Sequence, residues 1–306
     1  MEFVHKSVLF NECMENLNIK PDGVYIDATM GGAGHSEGIC SRLSEKGTFI
    51  GVDRDPEAFS VAKKRLEKYN CKKIFINANF SEIKNHTDLK ADGILADLGV
   101  SSYQLDNEER GFTYRADTKL DMRMDTTASF SAYNLVNEYS VSELTRVIRD
   151  YGEEKFAKNI ALNIAEARKN APVETTGELI DIIRHSLPAK SVREKHPAKR
   201  TFQAIRIEVN DELGSLKKGL DSFFSLLQPC GRLCIITFHS LEDRIVKEYY
   251  KGLTDVCTCP KDFPVCVCGN TPKARIISRK PINPSEKEIE ENPRSKSAHL
   301  RVAEKI

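Results

Sequence analysis

The chain has 306 residues, 46 Lys plus Arg against 45 Asp plus Glu, nine Cys and no Trp. That length fits one large or two modest domains, and 40% apolar with 30% charged residues excludes a disordered tail or a fibre. The longest charge-free apolar stretches, such as 222–231, are interrupted by Gln228 and Pro229 and fall well short of the ~20 residues that span a bilayer.

The N-terminus carries Glu2, His5, Lys6 and Glu12 and so lacks an apolar secretion segment. Nine scattered cysteines argue for reduced thiols or a metal site over a disulfide framework. The expectation is a cytoplasmic protein that makes no use of a membrane; the sequence leaves its oligomeric state open.

In chain order, Val24-Tyr25-Ile26 leads into Asp27, Phe49-Ile50-Gly51-Val52 into Asp53, Ile74-Phe75-Ile76 into Asn77, and Ile94-Leu95-Ala96 into Asp97. Each run is short, β-branched or aromatic, and ends on a polar residue. Between them 57–69 sets Ala58, Val61, Ala62 and Leu66 on one helical face. Strand, helix, strand at this rhythm predicts βαβ units and a parallel sheet. After Gly99 the pattern changes: 141–151, 153–169 and 175–186 repeat apolar residues three or four apart, which predicts a wholly helical middle part. Strand patterns return at 232–238 and, more weakly, at 274–278 and 299–302. A sheet domain interrupted by a helical insertion is the economical reading, with ligands at the carboxyl ends of the strands.

The densest signal is Asp27-Ala28-Thr29-Met30-Gly31-Gly32-Ala33-Gly34-His35, between the first strand and a predicted helix. Glycines there let the backbone approach a ligand closely, though tight strand-to-helix packing would use them too. Asp53, 22 residues after Gly31, is placed to accept both hydroxyls of a ribose, so the pair suggests an adenosine-containing cofactor. Reading G-x-G-x-x-G from Gly32 would put the third glycine at Glu37, and a negative charge there disfavours a pyrophosphate. S-adenosylmethionine has no phosphate and carries a positive sulfonium.

The fourth strand ends Asp97-Leu98-Gly99-Val100-Ser101-Ser102, where substrate chemistry belongs. An exocyclic base amine is a poor nucleophile, and the Asp97 carboxylate with the Leu98 carbonyl could accept its two hydrogens and aim its lone pair. Asp97 as a cap on the following turn is the plainer alternative. A DNA amino-methyltransferase would carry an Asp/Asn-Pro-Pro-aromatic motif here, where Leu98-Gly99 stands. A cofactor-fold assembly factor without activity is the other rival, against which Asp53, Asp97 and Gln104 all argue.

Several blocks resemble the RsmH (MraW) family: 97–102 with Gln104-Leu105-Asp106, Arg110-Gly111-Phe112, 120–125, Tyr151-Gly152-Glu153-Glu154, His196-Pro197-Ala198 with 200–204, 238–244, and Asn292-Pro293-Arg294-Ser295. They run in family order along nearly the whole chain. The resemblance implies an α/β fold: a class I (Rossmann-like) S-adenosylmethionine-dependent methyltransferase sheet over 1–108 and 208–306, with an inserted all-helical domain at 109–207 that recognises RNA. It implies N4-methylation of a cytosine of 16S rRNA, cytosine 1402, in the decoding centre of the 30S subunit, with no DNA partner. Carried over by motif, the cofactor residues are Ala33, Gly34, His35, Asp53, Phe80, Asp97 and Gln104. Phe80 would pack on adenine or simply fill core, and His35 is assigned to binding only.

His239 and Ser240 end the fifth strand on the same sheet edge as Asp97 and join it as candidate catalytic residues, although Ser240 would also serve as the N-cap of the next helix. Residues 184–206 hold seven Lys or Arg and one acid, Glu194, and 273–280 is basic with no acid. Such runs suit RNA phosphates as well as plain solvation, and Arg193, Lys195, Lys199 and Arg200 are the candidate contacts. Arg123, in the alternating block Asp121, Arg123, Asp125, is the fifth. Phe112, Tyr114 and Phe238 are candidates to stack on an unstacked base.

Cys257-x-Cys259 and Cys266-x-Cys268 followed by Gly269 form a tetrad. Four thiolates suit structural zinc, but C-x-C is tighter than the usual C-x2-4-C, so free thiols in a Pro-rich loop stand beside zinc as the alternative. No catalytic metal is expected.

Overall fold

The structure is a computed structural model and describes residues 7–114, 116–189, 196–257, 259, 265 and 267–306. Arg193, Lys195 and Cys266 lie outside the described residues. In chain order the elements are α1 (Phe10–Leu17), β1 (Val24–Asp27), α2 (Gly34–Cys40), β2 (Thr48–Asp53), α3 (Pro56–Leu66), β3 (Lys72–Asn77), β4 (Ala91–Asp97), α4 (Ser102–Asp106), α5 (Ala132–Glu138), α6 (Val141–Asp150), α7 (Ala157–Ala167), α8 (Thr176–Ser186), α9 (Lys199–Val209), α10 (Glu212–Leu226), β5 (Leu227–Thr237), α11 (Ser240–Thr254), β6 (Ala274–Ile276), α12 (Glu286–Glu291) and β7 (His299–Lys305). They form two compact units, Met1–Gly99 with Leu213–Ile306, and Val100–Glu212. The second unit begins before 109 and ends beyond 207, because Val100, Leu105 and Val209 pack on its core.

The first unit is built on a seven-stranded sheet in the order β3-β2-β1-β4-β5-β7-β6. Pairing is parallel from β3 to β5, and β7 runs antiparallel to both β5 and β6. Successive strand residues face opposite sides, so Ile26, Ile50, Ile94 and Ile235 pack with Leu220, Phe223 and Val246 on one face. Tyr25, Phe49, Leu95 and Ile236 pack with Leu9, Leu17 and Ile39 on the other. Both faces are covered, which explains why the strands read as continuous apolar runs. β5 starts at Leu227, earlier than the strand expected from 232: its register against β4 shifts between Ala91 and Gly93, and Cys230 adopts φ +63°. A bulge of this kind breaks the alternation by which a strand is read.

The second unit packs α5 to α9 around Leu144, Ile148, Ile160, Ile164, Leu179, Ile183, Phe202 and Ile205. It is not wholly helical. Among the described residues between α4 and α5 there is a 3-10 turn at Glu108–Arg110 and no further helix before Ser131. Buried side chains replace helical hydrogen bonds there: Arg110 Nη2 donates to the carbonyls of Arg123 and Met124, both at 3.0 Å. Asn210 bonds the Met122 carbonyl and the Met124 amide, both at 2.8 Å. The helix expected from 153 starts at Ala157, because Glu153 is left-handed at φ +49° and the Glu154 carboxylate accepts the Phe156 N–H at 3.0 Å. Among the described residues no helix is long and apolar enough to cross a membrane.

Candidate active site

The parallel register brings the carboxyl ends of β1, β2 and β4, and with them Asp27, Asp53 and Asp97, to one edge of the sheet. The loop after β1 is laced to its neighbours there. The Met30 N–H reaches the Val52 carbonyl at 2.9 Å, the Gly31 N–H reaches Asp53 Oδ2 at 2.6 Å, and Thr29 Oγ1 accepts the Asp97 N–H at 2.6 Å. Gly31 at φ +47° makes the turn, and a Cβ on Gly34 would overlap Ser7 Oγ. Ala33, fully buried at φ +63°, leads directly into α2. Asp27 sits beneath this loop, accepting Ser36 Oγ–H at 2.6 Å and the Thr29 N–H at 3.2 Å, and burial pushes its pKa up to about 6.

Glu37 does not bear on the ligand as the sequence suggested. Its carboxylate is taken by Arg65 Nε at 2.9 Å, Lys68 Nζ at 2.7 Å and the Tyr69 hydroxyl at 3.1 Å, all on or just after α3. Arg65 Nη1 goes on to the Gly32 carbonyl at 2.9 Å, so α3 braces the loop.

Asp53 accepts the Asp55 N–H on Oδ1 at 2.8 Å and the Gly31 N–H on Oδ2 at 2.6 Å. Burial still raises its pKa against those two bonds. Each oxygen keeps a further lone pair for a ligand hydroxyl. Beside it the Ala78 N–H bonds the Asp53 carbonyl at 3.0 Å, and two residues on Phe80 stands half-buried, one side against Phe223 at 5.7 Å between ring centroids.

Asp97 is the most perturbed of the three. Its Oδ1 is shielded from solvent and has no hydrogen-bond partner among the described residues, and burial, with Asp27 and Glu242 adding repulsion, pushes the pKa up to about 8. His35 Nδ1 lies 3.6 Å from Asp97 Oδ2. That contact is no ion pair: burial lowers the His35 pKa to about 4, and Nε2 faces the Val8 carbonyl at 2.9 Å, an oxygen that can only accept. The proton therefore sits on Nε2, and bare Nδ1 is turned to Asp97. Phe10 stacks on the imidazole with a centroid distance of 6.1 Å.

At the end of β5 the N-cap of α11 is His239, not Ser240, which is the exposed first helical residue. His239 Nδ1 accepts the Glu242 N–H at 3.4 Å, and Glu242 Oε2 accepts the N–H groups of Phe238 at 2.9 Å and His239 at 3.3 Å. The Leu98 N–H bonds the Ile236 carbonyl at 3.0 Å, joining this corner to the Asp97 turn. Thr29 and Arg65 reach this edge without having been singled out in the sequence, whereas buried Glu242 stands with Asp243 where acids suit the start of a helix. Only Glu242 had a local signal, the cap-x-x-Glu spacing of a capping box.

The remaining candidates lie in the helical unit. Gln104 is buried, and its side-chain oxygen accepts the Ser101 N–H at 3.0 Å in a capping box. Arg123 closes its own loop, with Nε on Asp121 at 2.8 Å, Nη2 on Asp121 at 2.6 Å and Nη1 on the Ala128 carbonyl at 2.6 Å. Lys199 and Arg200 are exposed at the start of α9, Arg200 donating to the Glu153 carbonyl at 3.1 Å. Phe112 belongs to the helical core, while Tyr114 stacks on His196 at 4.2 Å. In the sheet unit, Phe238 packs half-buried on the core.

A sheet of this order with one reversed strand, a glycine loop after β1 and acids closing β1, β2 and β4 defines a class I S-adenosylmethionine-dependent methyltransferase. The chain belongs to the MraW methylase family, whose pattern it matches over residues 2–306. It is 58% identical over 311 aligned residues to ribosomal RNA small subunit methyltransferase H of Clostridioides difficile (strain 630), covering all of both chains. It is 56% identical to the protein of the same name from Clostridium botulinum (strain Loch Maree / Type A3), again over all of both chains. Among solved structures, an rRNA methylase from Streptococcus thermophilus aligns over 97% of this chain and 93% of its own with a TM-score of 0.43 and 9% identity, a remote likeness.

Proposed function

We propose that this protein methylates N4 of a cytosine in small-subunit ribosomal RNA, at the decoding-centre position the family resemblance implies, and that it acts in the cytoplasm on the 30S particle. The observation that carries the chemistry is Asp97: a carboxyl at the end of a central strand, with one oxygen bare and a pKa near 8. Such an oxygen, unsatisfied among the described residues, fits a ligand that brings a donor or a positive charge.

S-adenosylmethionine supplies an electrophilic methyl group on a sulfonium and leaves as a neutral thioether. Asp53 accepts the ribose hydroxyls on its free lone pairs, Phe80 offers its open side to the adenine, and the loop through Ala33 and Gly34 lines the rest. His35 lines the pocket beside Asp97 with its bare Nδ1. Asp97 accepts one N–H of the target amine, turning the nitrogen lone pair away from the ring. As the N–C bond forms, the amine must lose one proton, and Asp97 is the base that receives it; a group titrating near 8 is matched to that task at neutral pH. The Leu98 carbonyl accepts the second N–H. His239 shapes the adjoining corner through its cap on α11. The base must leave its stack to reach Asp97, and Lys199, Arg200 and the surrounding α9 surface of the helical unit hold phosphates.

The test is to incubate the purified protein and methyl-labelled cofactor with 30S particles or protein-free 16S RNA at equal concentration and salt, and to map the label. N4-labelled cytosine at one site, in particles ahead of naked RNA, is the expected result. Label on a carbon or on another base overturns the chemistry, and equal or faster labelling of naked RNA overturns the particle preference.

A further inference from the structure

The loop joining α11 to β6 is anchored at its base. The Lys273 N–H bonds the Leu253 carbonyl at 2.8 Å and Asn270 Nδ2 bonds the Val256 carbonyl at 3.0 Å, closing the two ends. Beyond that closure Val265 and Val267 are 70% and 73% exposed. Two valines left this open contribute little burial of their own. Yet the sulfurs of Cys257, Cys259 and Cys268, separated by up to eleven residues of sequence, all lie within 4.8 Å of one another.

We propose that these three thiols form a structural zinc site that staples this loop. The spacing of the sulfurs is that of ligands around an ion. Four sulfurs at ~2.3 Å from a tetrahedral zinc are about 3.8 Å apart, and Cys268 Sγ is 3.9 Å from Cys257 Sγ. A disulfide would require ~2.05 Å. The tight C-x-C spacing is no obstacle, because in extended chain residues i and i+2 project to the same side, which lets Cys257 and Cys259 serve one ion. The Val267 N–H points at Cys259 Sγ at 3.3 Å, a backbone donor of the kind that supports a ligating thiolate. Gly269 at φ +68° turns the chain sharply just after Cys268.

An all-sulfur set selects a soft tetrahedral ion. The three described thiols suffice for the proposal, and Cys266 is the fourth thiol that the sequence offers. Each thiol that binds gives its proton to solvent, so occupancy falls as pH falls. The role goes beyond the methyl-transfer reading and does not depend on it: no ligand here is among the residues placed at the methyl-transfer site.

The full-length protein, purified under reducing conditions without chelator, should carry about one zinc per chain by elemental analysis. Replacing the zinc with cobalt should give the thiolate-to-cobalt charge-transfer absorption and the intense visible bands of a tetrahedral site. Cys259→Ser and Cys268→Ser should lose most of the metal. Should those variants fail to fold, the cobalt spectrum of the unaltered protein still decides. Reduced protein that takes up neither zinc nor cobalt, iron with inorganic sulfide in place of zinc, or a Cys257–Cys268 disulfide persisting in reductant would overturn the proposal.

Discussion

A carboxyl at a strand end can be a base, a cap or a spectator, and the surroundings of Asp97 separate these roles. A cap would spend its oxygens on the next turn, as Ser101 does on the Gln104 N–H at 3.2 Å. Asp97 Oδ1 instead accepts nothing. In the unfolded chain such a group ionises near pH 4; in the folded protein its pKa is about 8. Between those values the folded state keeps a proton that the unfolded state has released, so stability falls as pH rises. Asp97→Asn removes that slope, and its melting temperature should exceed that of the unaltered protein by more at pH 8 than at pH 5. The same variant should lose methyl transfer by a larger factor than any loss of RNA binding explains. In the unaltered protein kcat/KM should climb with pH toward a plateau above about 8; a flat profile would remove Asp97 as the base. Asp53 is held differently, by two backbone donors. Asp53→Ala should weaken cofactor affinity by roughly 10- to 150-fold, the ~1.5 to 3 kcal/mol of a charge-assisted hydrogen bond, and calorimetry showing unchanged affinity would exclude a role in ribose binding. Both aspartates were legible in the sequence because each ends an apolar run. Thr29 was not, since its part is to accept the Asp97 N–H, a link across 68 residues that no local pattern announces.

Elements were legible wherever one periodicity ran unbroken. Strands β1, β2 and β4 lie inside both cores and read as apolar runs, as does the edge strand β3 with only Ile76 buried; α6 and α8 carry Ser140 and Thr175 as N-caps with Glu143 and Glu178 closing capping boxes. Reading failed where long-range side-chain bonds replaced local ones. Around Met122–Met124 the chain forms no helix because Arg110 and Asn210 bond its backbone, and β5 is longer than its pattern because of the bulge near Cys230. The bracing of the glycine loop by α3 was likewise hidden, since Glu37 and Arg65 meet only when α2 and α3 are side by side. That brace is open to test. Arg65→Ala removes partly exposed ion pairs with Glu37, which contribute little, and a charged hydrogen bond to the Gly32 carbonyl, which contributes more. Cofactor affinity should drop about 2- to 10-fold with little change in melting temperature. An affinity equal to that of the unaltered protein would show that the loop holds its shape without α3.

At the scale of the molecule, the chain carries separate cores: two on the faces of the sheet and one inside the helical unit. The residues proposed to hold the cofactor, apart from Gln104, all belong to the sheet unit. A ligand that binds only the folded state stabilises by RT ln(1 + [L]/Kd), about 2.7 kcal/mol at 100-fold excess over Kd. That gain belongs to whatever unfolds with the site. If the two units open independently, saturating cofactor should slow amide exchange strongly in the loop after β1, at the ends of β2 and β4 and around Phe80, while α6, α7 and α8 exchange as before. Calorimetry should then show one transition moving up with cofactor concentration and another standing still. Were α6 to α8 protected to the same degree and a single transition to move as a whole, the units would be one cooperative block, and cofactor binding would reach the helical unit energetically. Gln104 distinguishes the two outcomes at a single residue. Its side chain already closes the cap on α4, so Gln104→Ala should weaken the cofactor measurably only if the helical unit is ordered with the site.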